Sequence, residues 1–122
     1  MIRTSTPQLP ASITYSAVLG QVLARRRQLQ GGIHQKSVAD ALGITQSAYS
    51  RLEGGQSAMS LGQLRRVAFF LGTAPNILLA DTDSFVQHLE ARGVTVTDDK
   101  VTSSSELLIG LGILAAIFAS AN

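Results

Sequence analysis

Apolar residues recur at helical spacing through roughly the first two thirds of this 122-residue chain. Between residues 16 and 80 they fall three or four positions apart, in five short runs that glycine or proline residues separate. This spacing places the apolar side chains on one face of each helix, where they can pack together. The pattern predicts five helices over residues 15 to 80, in an all-α domain large enough to fold alone.

Two of the predicted helices are short and lie close together, at residues 35 to 42 and 46 to 53. Gly43 lies between them, where a tight turn favours a residue that can adopt a positive φ. Thr45 is a suitable N-cap for the second helix of the pair. Two short helices joined by a tight turn have the layout of a helix-turn-helix DNA-binding unit.

The pattern changes after residue 80. Residues 85 to 92 predict one short helix, which Asp83 or Ser84 can cap. The stretch from 94 to 105 alternates β-branched and polar residues, which is typical of a short strand or a linker. Residues 107 to 121 carry no charge and predict an apolar C-terminal helix. The predicted organisation is a flexible arm at residues 1 to 14, the five-helix domain at 15 to 80, a short helix and linker at 81 to 105, and an apolar helix at 106 to 122.

Charge is distributed unevenly along the chain, although the net charge is only +2. Residues 18 to 79 hold seven basic and two acidic side chains, whereas residues 80 to 122 hold two basic and six acidic ones. A basic first part indicates that this part alone meets a polyanion. Ordinary solvated surfaces are the alternative explanation of the same distribution.

The composition argues against several kinds of site. There is no cysteine, so the chain has neither a disulfide nor a thiolate metal site. His34 and His88 are far apart in sequence, and no carboxylate pair or nucleophile motif accompanies either of them. We therefore expect no enzyme activity, no metal and no cofactor. The N-terminal residues lack the apolar segment of a secretion signal, so we expect a cytoplasmic protein.

The residues around the predicted turn resemble those of a known family. The matching residues are Gly32, Ile33, His34, Gln35, Val38, Ala39, Leu42, Gly43, Ile44, Ser50, Arg51, Leu52, Glu53 and Gly55, followed by Leu61, Leu64, Ala68, Leu71 and Gly72. In these residues the chain is similar to phage-repressor helix-turn-helix regulators of the Cro/Xre type. The resemblance implies a repressor-type fold that binds double-stranded DNA as a dimer, with the third helix of each copy in the major groove.

The resemblance also assigns roles to individual residues. The third helix, at residues 46 to 53, is the recognition helix in this family. Four of its residues are expected to face the bases: Gln46, Ser47, Ser50 and Arg51. Gln46 is the expected main reader, because its amide can form two hydrogen bonds with adenine, whereas Arg51 could read guanine or hold a phosphate. Four further residues are expected to contact phosphates: Gln35, Lys36, Thr45 and Gly55.

Two expectations concern the support of the recognition helix. Glu53 is expected to form a structural salt bridge with an arginine of the first helix. Arg27 is the candidate, because the Gly-Gly loop after that helix is one residue longer than the family pattern. Tyr49 and Leu52 are expected to face the core, with the Tyr49 hydroxyl at its rim.

The apolar C-terminal helix is a feature that a minimal repressor domain does not need. At 1.5 Å per residue its length would be about 22 Å, which is short of a bilayer core of roughly 30 Å. Such a helix must be covered by other subunits, by a membrane or by its own domain. Because the five-helix domain already has a core, we expect self-association. The residues expected to mediate it are Leu107, Leu108, Leu111, Gly112, Leu114, Ala115 and Phe118.

Together these features predict a sequence-specific transcriptional regulator, most simply a repressor, that binds DNA as a dimer or higher oligomer. One alternative is an antitoxin-like subunit whose second half binds a toxin-like protein partner and whose DNA binding is only autoregulatory. Another is a membrane-tethered regulator. A co-purifying product of an adjacent reading frame would favour the first alternative, and recovery of the chain with membranes would favour the second.

Overall fold

The structure, a computed structural model, describes residues 11 to 98 and 104 to 120. Its elements are β1 (Ala11–Thr14), α1 (Tyr15–Leu29), α2 (Gln35–Leu42), α3 (Gln46–Glu53), α4 (Leu61–Phe70), α5 (Pro75–Ala91), β2 (Val94–Thr97) and α6 (Ser104–Ser120). Within these described residues, six helices accompany one two-stranded sheet. The predicted helical fold class is therefore confirmed.

The first five helices share one apolar core. Each contributes a side chain that is completely buried: Leu23, Val38, Tyr49, Val67 and Leu78. The helical spacing of apolar residues explains this arrangement, since it gives every helix one face that can be removed from water. Helix α1 packs against α3 and α5, and α2 packs against α3 and α4.

Helix α5 crosses the predicted boundary at residue 80 without a break. A short helix was expected to end there and another to cover residues 85 to 92, but α5 is continuous. Thr82 lies at the predicted break, where it is completely buried and donates a hydrogen bond to the Leu78 carbonyl oxygen at 2.8 Å. This hydrogen bond satisfies the buried hydroxyl within the helix, and α5 continues past it into a second layer.

Polar contacts also hold the middle of α5 against α1. Arg26 donates to Asp81, with a closest distance of 2.6 Å, and the Tyr15 hydroxyl donates to Asp83 at 2.7 Å. Asp83, which the sequence offered with Ser84 as the cap of a new helix, is thus engaged by α1, as is Asp81. Burial and, to a smaller extent, Asp83 raise the pKa of Tyr15 to about 12.

Residues 11 to 14 form a strand, although the sequence analysis placed them at the end of a flexible arm. All four are buried, and they pair in parallel with β2 from Ala11–Val94 to Thr14–Thr97. Residues 94 to 97, predicted as a strand or linker, are thus a strand. The pairing explains the difference for β1, because backbone groups of the two segments satisfy each other. Residues 1 to 10 of the predicted arm lie outside the described residues, as do linker residues 99 to 103.

Helix α6 packs on β1 and α5 of its own chain. Leu114 and Ile117 are buried there with Ile13 and Leu89, in a second apolar cluster. The sequence left three possibilities for what covers the apolar helix: other subunits, a membrane or its own domain. In the structure α6 docks on its own domain. The five-helix core was not complete, because β1, the start of α1 and the end of α5 present a second apolar surface.

The residues predicted to associate between subunits divide between two faces of α6. Leu114 is buried and Phe118 is half-buried against both clusters, so neither is free for another subunit. Leu107 and Leu111 are partly buried, whereas Leu108, Gly112 and Ala115 are exposed. Across the described ranges 11–98 and 104–120, no helix has the length and apolarity that crossing a bilayer requires.

Candidate nucleic-acid interface

Helices α2 and α3 form a helix-turn-helix unit. Gly43 ends α2 with a left-handed φ of 72°, and Ile44 follows with its N–H donating back to the Ala39 carbonyl oxygen at 3.0 Å. The Thr45 side chain then accepts a hydrogen bond from the Ala48 N–H at 3.1 Å, which caps α3. Both helix ends are therefore fixed by local hydrogen bonds.

The exposed face of α3 contains the four residues predicted to face the bases. Tyr49 and Leu52 are buried in the core, which leaves the opposite side of the helix in solvent. The exposed side chains on that side are Gln46, Ser47, Ser50 and Arg51. Arg51 forms no ion pair with any carboxylate in the described parts of the chain. The face thus combines amide and hydroxyl groups with one unneutralised guanidinium, groups that can read base edges.

The start of α2 presents free backbone donors. The His34 side chain makes no capping hydrogen bond, and no described residue accepts from the N–H groups of Gln35 and Lys36. Unsatisfied N–H groups and the positive end of the helix dipole favour an anion at this position. The geometry therefore suits a phosphate at the start of α2.

Lys36 lies on the same turn, with its Nζ 3.4 Å from the carboxylate of Asp40. Both side chains are mostly exposed, at 71% and 65% of their surface. An exposed pair of this kind contributes between zero and about 1 kcal/mol, so a phosphate can compete for the ammonium group.

Glu53, at the end of α3, is the centre of a buried polar network. Arg27 binds it through two hydrogen bonds, Nε to Oε2 at 2.8 Å and Nη2 to Oε1 at 3.0 Å. Arg27 is the partner that the sequence analysis proposed. Its remaining Nη1 donates to the Ile33 carbonyl oxygen at 2.7 Å. Hydrogen bonding to Glu53 raises the pKa of Arg27, against the opposing effect of burial.

Gln35 joins this network through its side chain. Its Nε2 donates to Glu53 Oε1 at 2.8 Å, and the residue is partly buried. One N–H of the side-chain amide is therefore engaged, while the second N–H and the oxygen remain for other partners. The network connects α1, α2 and the end of α3, so it fixes the recognition helix relative to the predicted phosphate site.

Tyr49 lies deeper than the sequence analysis expected. Its hydroxyl was expected at the rim of the core, but the residue has no exposed surface, because its ring lies within the cluster that the first five helices form. The hydroxyl has no hydrogen-bond partner of standard geometry among the described residues. Burial raises the pKa of Tyr49 far above 10; the Glu53 carboxylate raises it further, and Arg27 acts in the opposite direction.

Gly55 also differs from its predicted role. Its N–H was expected to contact a phosphate, but it donates to the Leu52 carbonyl oxygen at 3.2 Å. Its φ is 76°, and a Cβ at this position would overlap Ala17 of α1. The residue therefore ends α3 and packs the following loop against α1, and its N–H is not free for a phosphate.

Gly20 supports the site in a way that was not predicted from the sequence. It lies in the middle of α1, where a Cβ would overlap the backbone of Glu53. A glycine inside a helix costs about 1 kcal/mol relative to alanine, so its occurrence there signals a close contact. This contact allows α1 to lie directly against the end of the recognition helix.

In the parts of the chain that the structure describes, no cluster of three or more acidic, histidine or cysteine residues could hold a metal ion.

The tight turn, the capped second helix and its polar exposed face define a helix-turn-helix DNA-binding fold. Residues 18 to 80 match a family model described as "Helix-turn-helix domain", and the chain belongs to this family. The family supports DNA binding in transcription regulation, which is typically not an enzymatic role.

The fold also resembles that of a solved structure, the clp gene regulator ClgR from Corynebacterium glutamicum. The two chains share 23% sequence identity and superpose with a TM-score of 0.60. The match covers 64% of this chain and 82% of that chain. At this identity the likeness concerns the fold alone. No curated protein shows significant similarity to the chain.

Proposed function

We propose that this protein is a cytoplasmic, sequence-specific repressor of the Cro/Xre type that inserts α3 into the DNA major groove. The observation that carries the proposal is the exposed face of α3. It presents Gln46, Ser47, Ser50 and Arg51, and the helix's acidic residue, Glu53, is buried on the other side. A face of this length with donors, acceptors and no exposed carboxylate suits base edges flanked by phosphates.

Gln46 is proposed as the main base-reading residue. It occupies the first turn of α3, the end that enters the groove first in helix-turn-helix proteins. Its amide can donate to N7 and accept from N6 of adenine, a contact that discriminates by about 1–3 kcal/mol. Arg51, five positions further on, carries the charge for a guanine or a phosphate.

Phosphate binding is proposed at the start of α2. The donors there are the free N–H groups, the Lys36 ammonium and the second N–H of the Gln35 amide. The Thr45 hydroxyl, at the start of α3, is proposed as a further phosphate donor. Gln35 is held by Glu53, which is also bonded to Arg27. The phosphate contact and the position of the recognition helix therefore depend on the same buried network.

We further propose that two or more copies bind together through the exposed face of α6. Leu108 has 68% of its surface exposed, and Gly112 and Ala115 lie beside it on the solvent side. The change Leu108→Glu should lower the mass measured by sedimentation equilibrium without unfolding the chain, since the residue is outside both cores. An unchanged mass would rule out this face as the interface.

The antitoxin-like alternative requires a bound protein partner. Affinity purification of the tagged chain from its native cells, with identification of an adjacent gene product in equal amount, would favour that role over independent repression. The membrane-tethered alternative predicts recovery of the full chain in the membrane fraction.

Selection of bound fragments from a random DNA pool tests the proposed function. We expect the wild-type chain to enrich one sequence motif, repeated about one helical turn apart if two copies bind. Gln46→Ala should relax the preference at one position of each half-site. Gln87→Ala, at an exposed glutamine of α5, is the matched control and should select the original motif. Failure to enrich any motif would refute sequence-specific binding, and an unchanged motif for Gln46→Ala would refute its assigned role.

A further inference from the structure

A groove of about 660 Å³ lies outside the helix-turn-helix face, between the ends of α2 and α4 and the start of α5. Its walls include Arg65, Arg66, Phe69, Phe70 and Pro75. This volume is within the range of about 300–1,000 Å³ that ligand-binding pockets occupy. No residue of α3 lines it, so the groove is separate from the proposed base-reading face.

Phe69 is the dominant apolar feature of this groove. It has 85% of its surface exposed, and its neighbour Phe70 has 40%. The core-facing side of α4 is already supplied by Leu64 and Val67, which are buried. Phe69 is therefore not needed on the core-facing side of α4. With Phe70 and Pro75 it lines one apolar surface, and contiguous apolar surfaces of this kind mark interaction sites.

The groove is also positively charged. Arg65 and Arg66 are exposed, and neither forms an ion pair with a carboxylate in the described residues. Arg66 makes one long contact, 3.5 Å from Nη1 to the Leu42 carbonyl oxygen. The walls of the groove contain no acidic residue. In α1, by contrast, Arg26 and Arg27 are both neutralised by carboxylates.

The positive charge of the groove favours an acidic segment over a second copy of the chain as its occupant. A second copy seated on the same face by two-fold symmetry would bring four arginines together without a carboxylate, and such like-charge contacts cost several kcal/mol. A segment that carries carboxylates beside a large apolar side chain complements both features. Guanidinium groups bind carboxylates through paired hydrogen bonds, and aromatic walls suit an apolar anchor.

We propose that this groove docks an acidic peptide segment of a partner protein. Carboxylates of the segment bind Arg65 and Arg66, and an apolar side chain enters between Phe69, Phe70 and Pro75. Because no residue of α3 lines the groove, the docked segment leaves the proposed base-reading face uncovered. The surface would then link DNA-bound protein to a second protein.

Fluorescence anisotropy tests the proposal with a short fluorescein-labelled peptide in which Phe and Leu alternate with Asp and Glu. The full chain should bind this peptide, and a peptide with Lys in place of the acidic residues should not bind. Phe69→Ser and the double change Arg65→Glu with Arg66→Glu should each weaken binding about tenfold or more, the loss typical of a central interface residue. Circular dichroism should show unchanged folding, because the three residues are exposed.

Two control variants match these changes outside the groove. Leu61→Ser removes a side chain that is 82% exposed on the same helix, and Arg92→Glu reverses an exposed arginine at the end of α5. Both should leave peptide affinity within about twofold, since neither residue contacts the groove.

Three results would overturn the proposal. The first is no binding of the acidic peptide to the wild-type chain, or equal binding by the groove variants. The second is a fall in oligomeric mass for Phe69→Ser with peptide affinity unchanged, which would make the groove an interface between copies. The third is a loss of DNA affinity for the arginine variant with peptide affinity unchanged, which would make the arginines DNA contacts.

Discussion

Glu53 determines how the recognition helix is held, because its carboxylate binds side chains from two other helices. The side chain of Glu53 is 6% exposed and that of Arg27 is 12% exposed. A buried ion pair adds little net stability compared with apolar residues of similar size, but removal of one partner leaves a charge without compensation. The network is therefore best understood as a device that positions α3.

Replacement of Arg27 should reveal this dependence. Arg27→Leu should lower the free energy of unfolding by about 3–5 kcal/mol, measured by urea denaturation, because Glu53 stays buried without its cation. The adjacent Arg26→Leu is a matched control. It breaks a pair that is 28% and 42% exposed, and should cost about 1 kcal/mol or less. Equal losses for the two variants would show that the Glu53 network has no special role.

The buried hydroxyl of Tyr49 leads to the opposite expectation. Tyr49→Phe removes a polar atom without a partner, so the free energy of unfolding should stay level or rise by about 1 kcal/mol. The pKa of Tyr49 is higher in the folded chain than its ordinary value of 10.0, so the native state keeps a proton that the unfolded state releases above pH 10. Wild-type stability should therefore fall as pH rises above 10.

Urea denaturation at pH 9 and pH 11 measures this effect. Tyr49→Phe should reduce the loss of stability between the two pH values, and a loss equal to that of the wild type would contradict the assignment. Tyr15→Phe is the comparison. The pKa of Tyr15 is about 12 in the folded chain, so the loss of stability that Tyr15 causes should be complete near pH 12.

At the residue scale, the pattern of apolar and polar positions was sufficient to predict the direction of a side chain where that direction depends on one helix. The inward direction of Tyr49 and the outward direction of Gln46 follow from their spacing along α3. The blocked N–H of Gly55 and the Gln35–Glu53 hydrogen bond depend on how a loop and two helices approach each other. Spacing along the chain contains no information about such contacts.

At the scale of elements, the docking of α6 and the pairing of the two strands could likewise not be predicted from spacing along the chain. The sheet joins β1 to β2, which are far apart in sequence, and each strand has only four residues. An uncharged apolar helix predicts that another apolar surface covers it, but it does not predict which surface. The surface that covers α6 is formed by β1, the start of α1 and the end of α5, which are brought together only by the tertiary fold.

Two glycines of α6 provide a matched test of its docking. A Cβ at Gly110 would lie 2.7 Å from the carbonyl oxygen of Ser12, whereas a Cβ at Gly112 would meet nothing within 4 Å. Gly112→Ala should raise the free energy of unfolding by up to about 1 kcal/mol, because alanine favours the helix. Gly110→Ala should lower it by about 1–3 kcal/mol, because α6 must move away from β1.

Thermal unfolding followed by circular dichroism compares the two variants. If both raise the melting temperature, α6 does not dock on β1 in solution. Hydrogen exchange gives an independent measure, since protection of β1 amides should fall in Gly110→Ala and persist in Gly112→Ala.

At the scale of the whole molecule, α1 and α5 connect the two cores. Both helices contribute to the cluster around Tyr49, and both also contribute to the cluster beneath α6. Close contacts at Gly20 and Gly55 join α1 to the end of α3 and its loop. The second core therefore supports the same helix that carries Arg27 and holds the recognition helix in place.

The charge distribution of the whole molecule gives the last prediction. The part of the chain that contains the helix-turn-helix unit is basic and the part after it is acidic, so DNA binding should release counterions at the first part only. The logarithm of the binding constant should fall linearly with the logarithm of salt concentration. Lys36→Ala should reduce that slope by about 1, because one phosphate contact is lost, and should weaken all sequences alike. Arg92→Ala removes an equal charge from the acidic part and should leave the slope unchanged; equal slopes for Lys36→Ala and the wild type would show that Lys36 does not contact DNA.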